Sequence, residues 1–161
     1  MSGSSPSISE LVAGVIKREG GYVHDPLDPG GETRYGISKR SYPNEDIKNL
    51  TEQRAAEIYE RDFYFAPGLD ALPLSHVEPV FDMAVNAGAF AAVRLAQRAA
   101  GTGVDGRIGP ETSAAVAALT ARDFRKAFTL ERLLFYVSTI IARPTSIKYA
   151  RGWFRRALEV L

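Results

Sequence analysis

The sequence predicts a mainly α fold, with about six or seven helices and one small β or loop insert directly after the first helix. Three observations carry this. Apolar residues recur at helical spacing in several separate stretches, each closed by Gly or Pro. Residues 22–37 are too rich in Gly, Pro and Asp to be helical. The 161 residues, 45% of them hydrophobic, have the size and composition of one ordinary globular domain.

The first helix opens at Ser7, which forms an S-x-x-E capping box with Glu10. Ile8, Leu11, Val12, Val15 and Ile16 follow at i, i+3, i+4, i+7 and i+8, an amphipathic stripe that Gly20-Gly21 stops. Pro26, Pro29 and Gly30-Gly31 then make loops around one or two short strands, placed at Thr33 to Ile37. Helix resumes at Thr51, a good N-cap, and runs to about Phe63, before Pro67-Gly68 breaks it. The next helix covers Val77 to Gly88, and either ends there or bends near Gly88 and continues to Ala100. The segment GTGVDGRIGP is a loop, with Pro110 at a first helical position. Thr112 to Leu119 and Arg122 to Ala142 are helical, Pro144 ends the latter, and a last helix spans about Ser146 to Val160. The only seam in this pattern, Gly101 to Gly109, suggests a region 7–100 and a helical region 101–161 packed as one globular unit.

Composition removes several classes of chemistry. With no cysteine there is no disulfide framework, thiolate zinc site or cysteine nucleophile. His24 and His76 stand in no metal-ligand spacing, so neither metal nor cofactor is expected. The start, MSGSSPSISE, lacks the basic and apolar regions of a signal peptide, and the longest apolar run, Leu133 to Ala142, is too short to span a membrane. Charge is divided unevenly. Residues 1–121 carry 11 Lys and Arg against 16 Asp and Glu, whereas residues 122–161 carry 9 against 3. The basic end suits either an anionic partner or a solvated helix face.

Glu19 is the most informative position. It follows Ile8 by 11 residues, which at 100° per residue leaves it only about 20° away around the helix axis, within the apolar stripe. Lys17 and Arg18 take the solvent side. Partial burial there would raise the carboxyl pKa, as suits a general acid held protonated near neutral pH. A glutamate emerging at the helix end, or paired with an arginine, fits the same position. Asp25, Asp28 and Glu32 add carboxylates a short way on, and Thr33 adds a hydroxyl. Glycoside hydrolysis uses two carboxyl groups flanking the scissile bond, or one and a positioned water. Asp25 and Asp28 each precede a proline and read equally as turn formers. Tyr22 and Tyr35 are candidates for stacking on sugar rings or for local packing. Asn86 is a candidate for bonding substrate or for tying together a buried loop. Trp153 reads as packing the last helix.

The segment REGGYVHDPLDPGGETRYGIS, residues 18–38, resembles the signature of glycoside hydrolase family 108, bacterial and phage N-acetylmuramidases. FDMAVNAG, residues 81–88, is similar to an inner helix of that family. VDGRIGPET, residues 104–112, and GWFRR, residues 152–156, resemble the C-terminal region described there as a peptidoglycan-binding domain. Together these cover nearly the whole chain. The resemblance implies a lysozyme-like α+β fold with Glu19 as catalytic acid. Glu19, Asp28 and Thr33 also stand in the order Glu, Asp or Cys, Thr of phage-type lysozymes, at slightly shorter spacing. By that likeness Asp28 and Thr33 position the attacking water, or Asp25 does.

The function expected from these readings is hydrolysis of the β-1,4 bond between N-acetylmuramic acid and N-acetylglucosamine by a monomer acting on a peptidoglycan strand. The cleft is expected between the Glu19 helix and the C-terminal helices. Such an enzyme is made in the cytoplasm and reaches the wall by holin release or a secretion apparatus. The alternatives are a non-catalytic peptidoglycan- or partner-binding domain on the same fold, which the intact E-G-G-Y segment argues against, and a nucleic-acid binder. Nucleic acid is not expected, because acidic residues spread through the first 121 positions and no recognised binding motif is present.

Overall fold

The computed structural model describes residues 5–24 and 31–159. The chain divides into two compact units, Met1–Asp62 and Phe63–Leu161.

In the first unit, α1 (Ile8–Glu19) starts with the expected capping box. The Ser7 backbone N–H donates to the Glu10 carboxylate at 2.7 Å, and the Glu10 N–H donates to Ser7 Oγ at 3.3 Å. Val12, Val15 and Ile16 are buried, and Gly20, at φ 73°, ends the helix in a conformation that costs a glycine little. The strand expected over Thr33 to Ile37 is a hairpin, in which β1 (Thr33–Arg34) pairs antiparallel with β2 (Ile37–Ser38). Val23 adds a bridge to Thr33 on the other side, with reciprocal N–H to carbonyl bonds of 2.8 Å. Thr51 caps α2 (Glu52–Tyr59) through the Arg54 N–H, and α2 packs on α1. The apolar residues buried in this unit include Ile37, Ile47, Leu50, Ala55 and Ile58. A π-helical segment, Glu60–Phe65, extends the second helix to about the length the sequence predicts.

Among its described residues the second unit consists of helices and the loops between them. A 3-10 turn, Leu69–Ala71, leads into α3 (Leu74–Ala87) and α4 (Ala89–Ala100), which Gly88 separates at φ 90°. The bend near Gly88 is therefore a break between two helices. Then come α5 (Pro110–Ala117), with Pro110 in its first turn as expected, and the 22-residue α6 (Ala121–Ala142). The last helix departs from expectation. Residues Pro144–Tyr149 form a 3-10 segment, and α7 (Ala150–Leu158) begins only after it, because proline allows the tighter turn here and the helix does not pick up again until Ala150. Val160 lies outside the described residues. α3, α4 and α6 pack on one another and α7 packs on α6, burying Phe81, Met83, Phe124 and Phe128. No helix among the described residues is long and apolar enough to cross a membrane. Among the described residues, seven α-helices and a small antiparallel sheet make a lysozyme-like α+β fold.

Candidate active site

Glu19 is the last residue of α1, and its surroundings are built by the hairpin. Tyr35 and Gly36, at φ 52° and 76°, form its two-residue turn. Two positive φ values are what a type I′ turn requires, and its twist suits the strands on either side. Tyr35 is the only residue other than glycine with positive φ among those described, so the turn holds local strain that its neighbours must offset. They do so from both sides. The Tyr35 N–H donates to the Gly20 carbonyl at 3.2 Å, and the Tyr59 hydroxyl donates to the Tyr35 carbonyl at 2.8 Å.

This clamp brings the bare backbone of Gly36 against the Glu19 side chain. A Cβ at Gly36 would lie 3.0 Å from Glu19 Cγ, 3.2 Å from Glu19 Cβ and 2.5 Å from Tyr59 Oη. The glutamate stem thus fills space that only glycine leaves open. As helical phase predicts, the stem points at a packed neighbour. The expected partial burial does not hold, for Glu19 is exposed. Gly20 ends the helix one residue later, so Glu19 lies beyond the packed turns of Val12 to Ile16.

The other candidates divide. Thr33 is half-buried in β1, its backbone engaged by Val23 and Ser38. Tyr22 is 39% exposed, and its hydroxyl donates to Glu32 at 3.1 Å. Desolvation first, and then the Glu32 carboxylate, push that hydroxyl above its usual pKa. Tyr35 sits in the turn itself, with the Arg34 guanidinium 5.3 Å from its ring centre. Asp25 and Asp28 lie outside the described residues. Asn86 lies in the second unit, where its Oδ1 accepts from the Tyr136 hydroxyl at 2.7 Å. Among the described residues, no group of three His, Cys, Asp or Glu side chains could hold a metal ion.

Two features escape sequence reasoning. The first is the packing of the Tyr59 hydroxyl against the Tyr35-Gly36 turn, which no local sequence signal announces. The second is a buried charge network in the second unit. Asp82 accepts from Arg132 at 2.7 Å and from the Arg156 Nε at 3.0 Å, and Arg132 also donates to the Tyr136 hydroxyl at 2.7 Å. Burial alone would raise the Asp82 pKa, but hydrogen bonds and charge from Arg156 and Arg132 outweigh it and hold the carboxyl below the usual range. Trp153 stacks on Tyr136 at 5.1 Å, packing the last helix as expected.

Comparison with known proteins agrees with this architecture. The profile of the family described as glycosyl hydrolase 108 matches residues 12–88, and that of a predicted peptidoglycan domain matches residues 91–158. A solved structure described as Brucella abortus SagA superposes with a TM-score of 0.80 at 28% identity, over 95% of this chain and 90% of that one. A search of curated protein sequences finds no match. The chain joins a glycosyl hydrolase 108 domain to a predicted peptidoglycan domain, the make-up of a peptidoglycan hydrolase.

Proposed function

We propose that the protein is an N-acetylmuramidase, cutting the β-1,4 bond between N-acetylmuramic acid and N-acetylglucosamine, with Glu19 as general acid. The observation that carries this reading is the placement of Glu19. Its stem is fixed against Gly36 by a turn clamped at Gly20 and Tyr59, while the residue as a whole remains exposed. A general acid needs that combination, since its oxygen must reach the leaving group and must not wander from it.

In this mechanism protonated Glu19 donates to the glycosidic oxygen as the bond to the muramic acid breaks. Positive charge developing on that sugar is stabilised by Asp28 or by the substrate's own acetamido group. Water, oriented by Asp28 with Thr33 or by Asp25, completes the hydrolysis. Tyr22, partly exposed, is available to a bound sugar.

Wild-type protein and Glu19→Gln, incubated with isolated peptidoglycan, test the assignment through the new ends identified by mass spectrometry. New muramic acid reducing ends with the wild type, reduced by about 10²-fold or more in the variant, are expected. Near-wild-type lysis by a folded Glu19→Gln protein would remove Glu19 from the acid role. Glucosamine reducing ends would change the bond assignment, and binding without cleavage by either protein would favour a non-catalytic wall-binding domain.

A further inference from the structure

A groove of about 650 Å³ runs between α1 and α2, and Gly20 and Tyr35 form part of its lining. It therefore opens one residue from Glu19 on the helix and one residue from Gly36 on the hairpin, beside the proposed acid. Its wall is apolar at Val12, Ile16 and Ala56, and charged at Lys17, Glu52 and Glu60.

These charges differ from others in the unit. Glu45 and Glu57 are tied to Arg54, and Asp62 is tied to Arg61. Among the described residues, Lys17, Glu52 and Glu60 enter no ion pair. A groove that bound only the neutral part of a glycan would have no use for them. The muramyl sugar at the scissile bond also carries a short stem peptide. That peptide has alanine methyl groups, free carboxylates and, in diaminopimelate walls, an ammonium. Methyl groups fit the apolar wall, a carboxylate fits Lys17, and an ammonium fits Glu52 or Glu60, which stand about two helical turns apart.

We infer that this groove binds the stem peptide of the muramyl residue, making Lys17, Glu52 and Glu60 specificity residues of the hydrolase. The inference rests on the muramidase reading above. Binding the peptide tethers the sugar beside Glu19 at no cost to the cleft itself, so peptide-bearing strands react faster than bare ones.

The test uses the full chain on uncrosslinked glycan strands from a diaminopimelate wall, intact and after amidase has removed the stem peptides. The wild type is expected to release muramic acid ends from intact strands at least about tenfold faster, the effect of one good charged contact. Glu52→Gln/Glu60→Gln and Lys17→Gln should lose most of that preference and keep the rate on bare strands. Equal wild-type rates on the two substrates overturn the inference and leave the muramidase reading in place. A preference that survives both variants overturns it too, because the peptide is then read elsewhere. A second measurement does not depend on hydrolysis. Titrating the isolated stem tetrapeptide should shift the amide resonances of Lys17, Gly20 and Ala56 saturably. Unshifted resonances, or the same shifts from a chitin oligosaccharide, reject the groove as a peptide site. Shifts with the tetrapeptide but no muramic acid ends from either strand would uphold the site and overturn the muramidase reading.

Discussion

At Gly36 three demands meet in one residue: a positive φ, room for the Glu19 stem and room for the Tyr59 hydroxyl. Alanine would satisfy none of them. We expect Gly36→Ala to lose about 1–3 kcal/mol of stability from the strained backbone. Its rate on peptidoglycan should fall by more than that stability loss accounts for, since a displacement of about 1 Å at a reacting group costs about 10²-fold. Thermal unfolding and the rate per folded molecule separate the two effects. A variant with full specific activity would show that Gly36 serves only the fold. The same residue marks where sequence reasoning reaches its limit. Phase around a helix is local, so the side on which Glu19 lies was legible. Its exposure depends on where the helix ends relative to its neighbours, and the period does not contain that. Nor is the sign of φ at Tyr35 written in a tyrosine, which reads as an ordinary strand residue.

Among the elements, α7 is held by chemistry distant in sequence. Asp82 on α3 receives Arg132 from α6 and Arg156 from α7, and Trp153 lies on Tyr136. Arg132 is fully buried, so removing its partner leaves an uncompensated charge in the core. Asp82→Ala should therefore cost about 3–5 kcal/mol. Urea unfolding followed by the fluorescence of Trp153, the only tryptophan, would read it. An unchanged midpoint would mean that water or a rearranged arginine replaces the carboxylate. The pH dependence has a definite sign. The folded Asp82 carboxyl titrates below its unfolded value, so its contribution is fully present above the ordinary aspartate range of about 4. It is lost as the pH falls from there through the lowered folded value. The helices themselves were legible wherever a cap or a proline announces them, as Ser7 with Glu10, Thr51 and Pro110 do. The start of α7 was not, because the 3-10 turn after Pro144 carries the same residues a helix would. The Asp82 network was not either, because its partners stand 50 and 74 positions away.

Over the whole molecule, the acidic first 121 residues and the basic last 40 give one chain two electrostatic characters. The basic part falls largely within the predicted peptidoglycan domain. Bacterial wall is rich in carboxylates, so retention on it should have a screened, charge-driven part. The inactive Glu19→Gln protein leaves the wall intact during the assay. Its retention should weaken as salt rises from about 0.1 M to 1 M, over which the screening length falls from about 10 Å to 3 Å. Retention unchanged at 1 M would assign wall recognition to apolar and hydrogen-bonded contacts.

The loop after α4 has a further consequence. Gln97 is buried at 1% exposure, and its amide nitrogen donates to Asp105, the Arg107 carbonyl and Thr112, while its oxygen accepts the Gly106 N–H at 2.8 Å. One helical side chain thus takes the place of a pairing strand. A Cβ at Gly106 would meet the Phe90 ring, and φ there is 79°, which favours glycine. The Gly106 N–H is held by a helical side chain although it belongs to a surface loop. It should exchange for deuterium mainly when the end of α4 lets go, so this loop is expected to keep the slow clock of the helix that holds it.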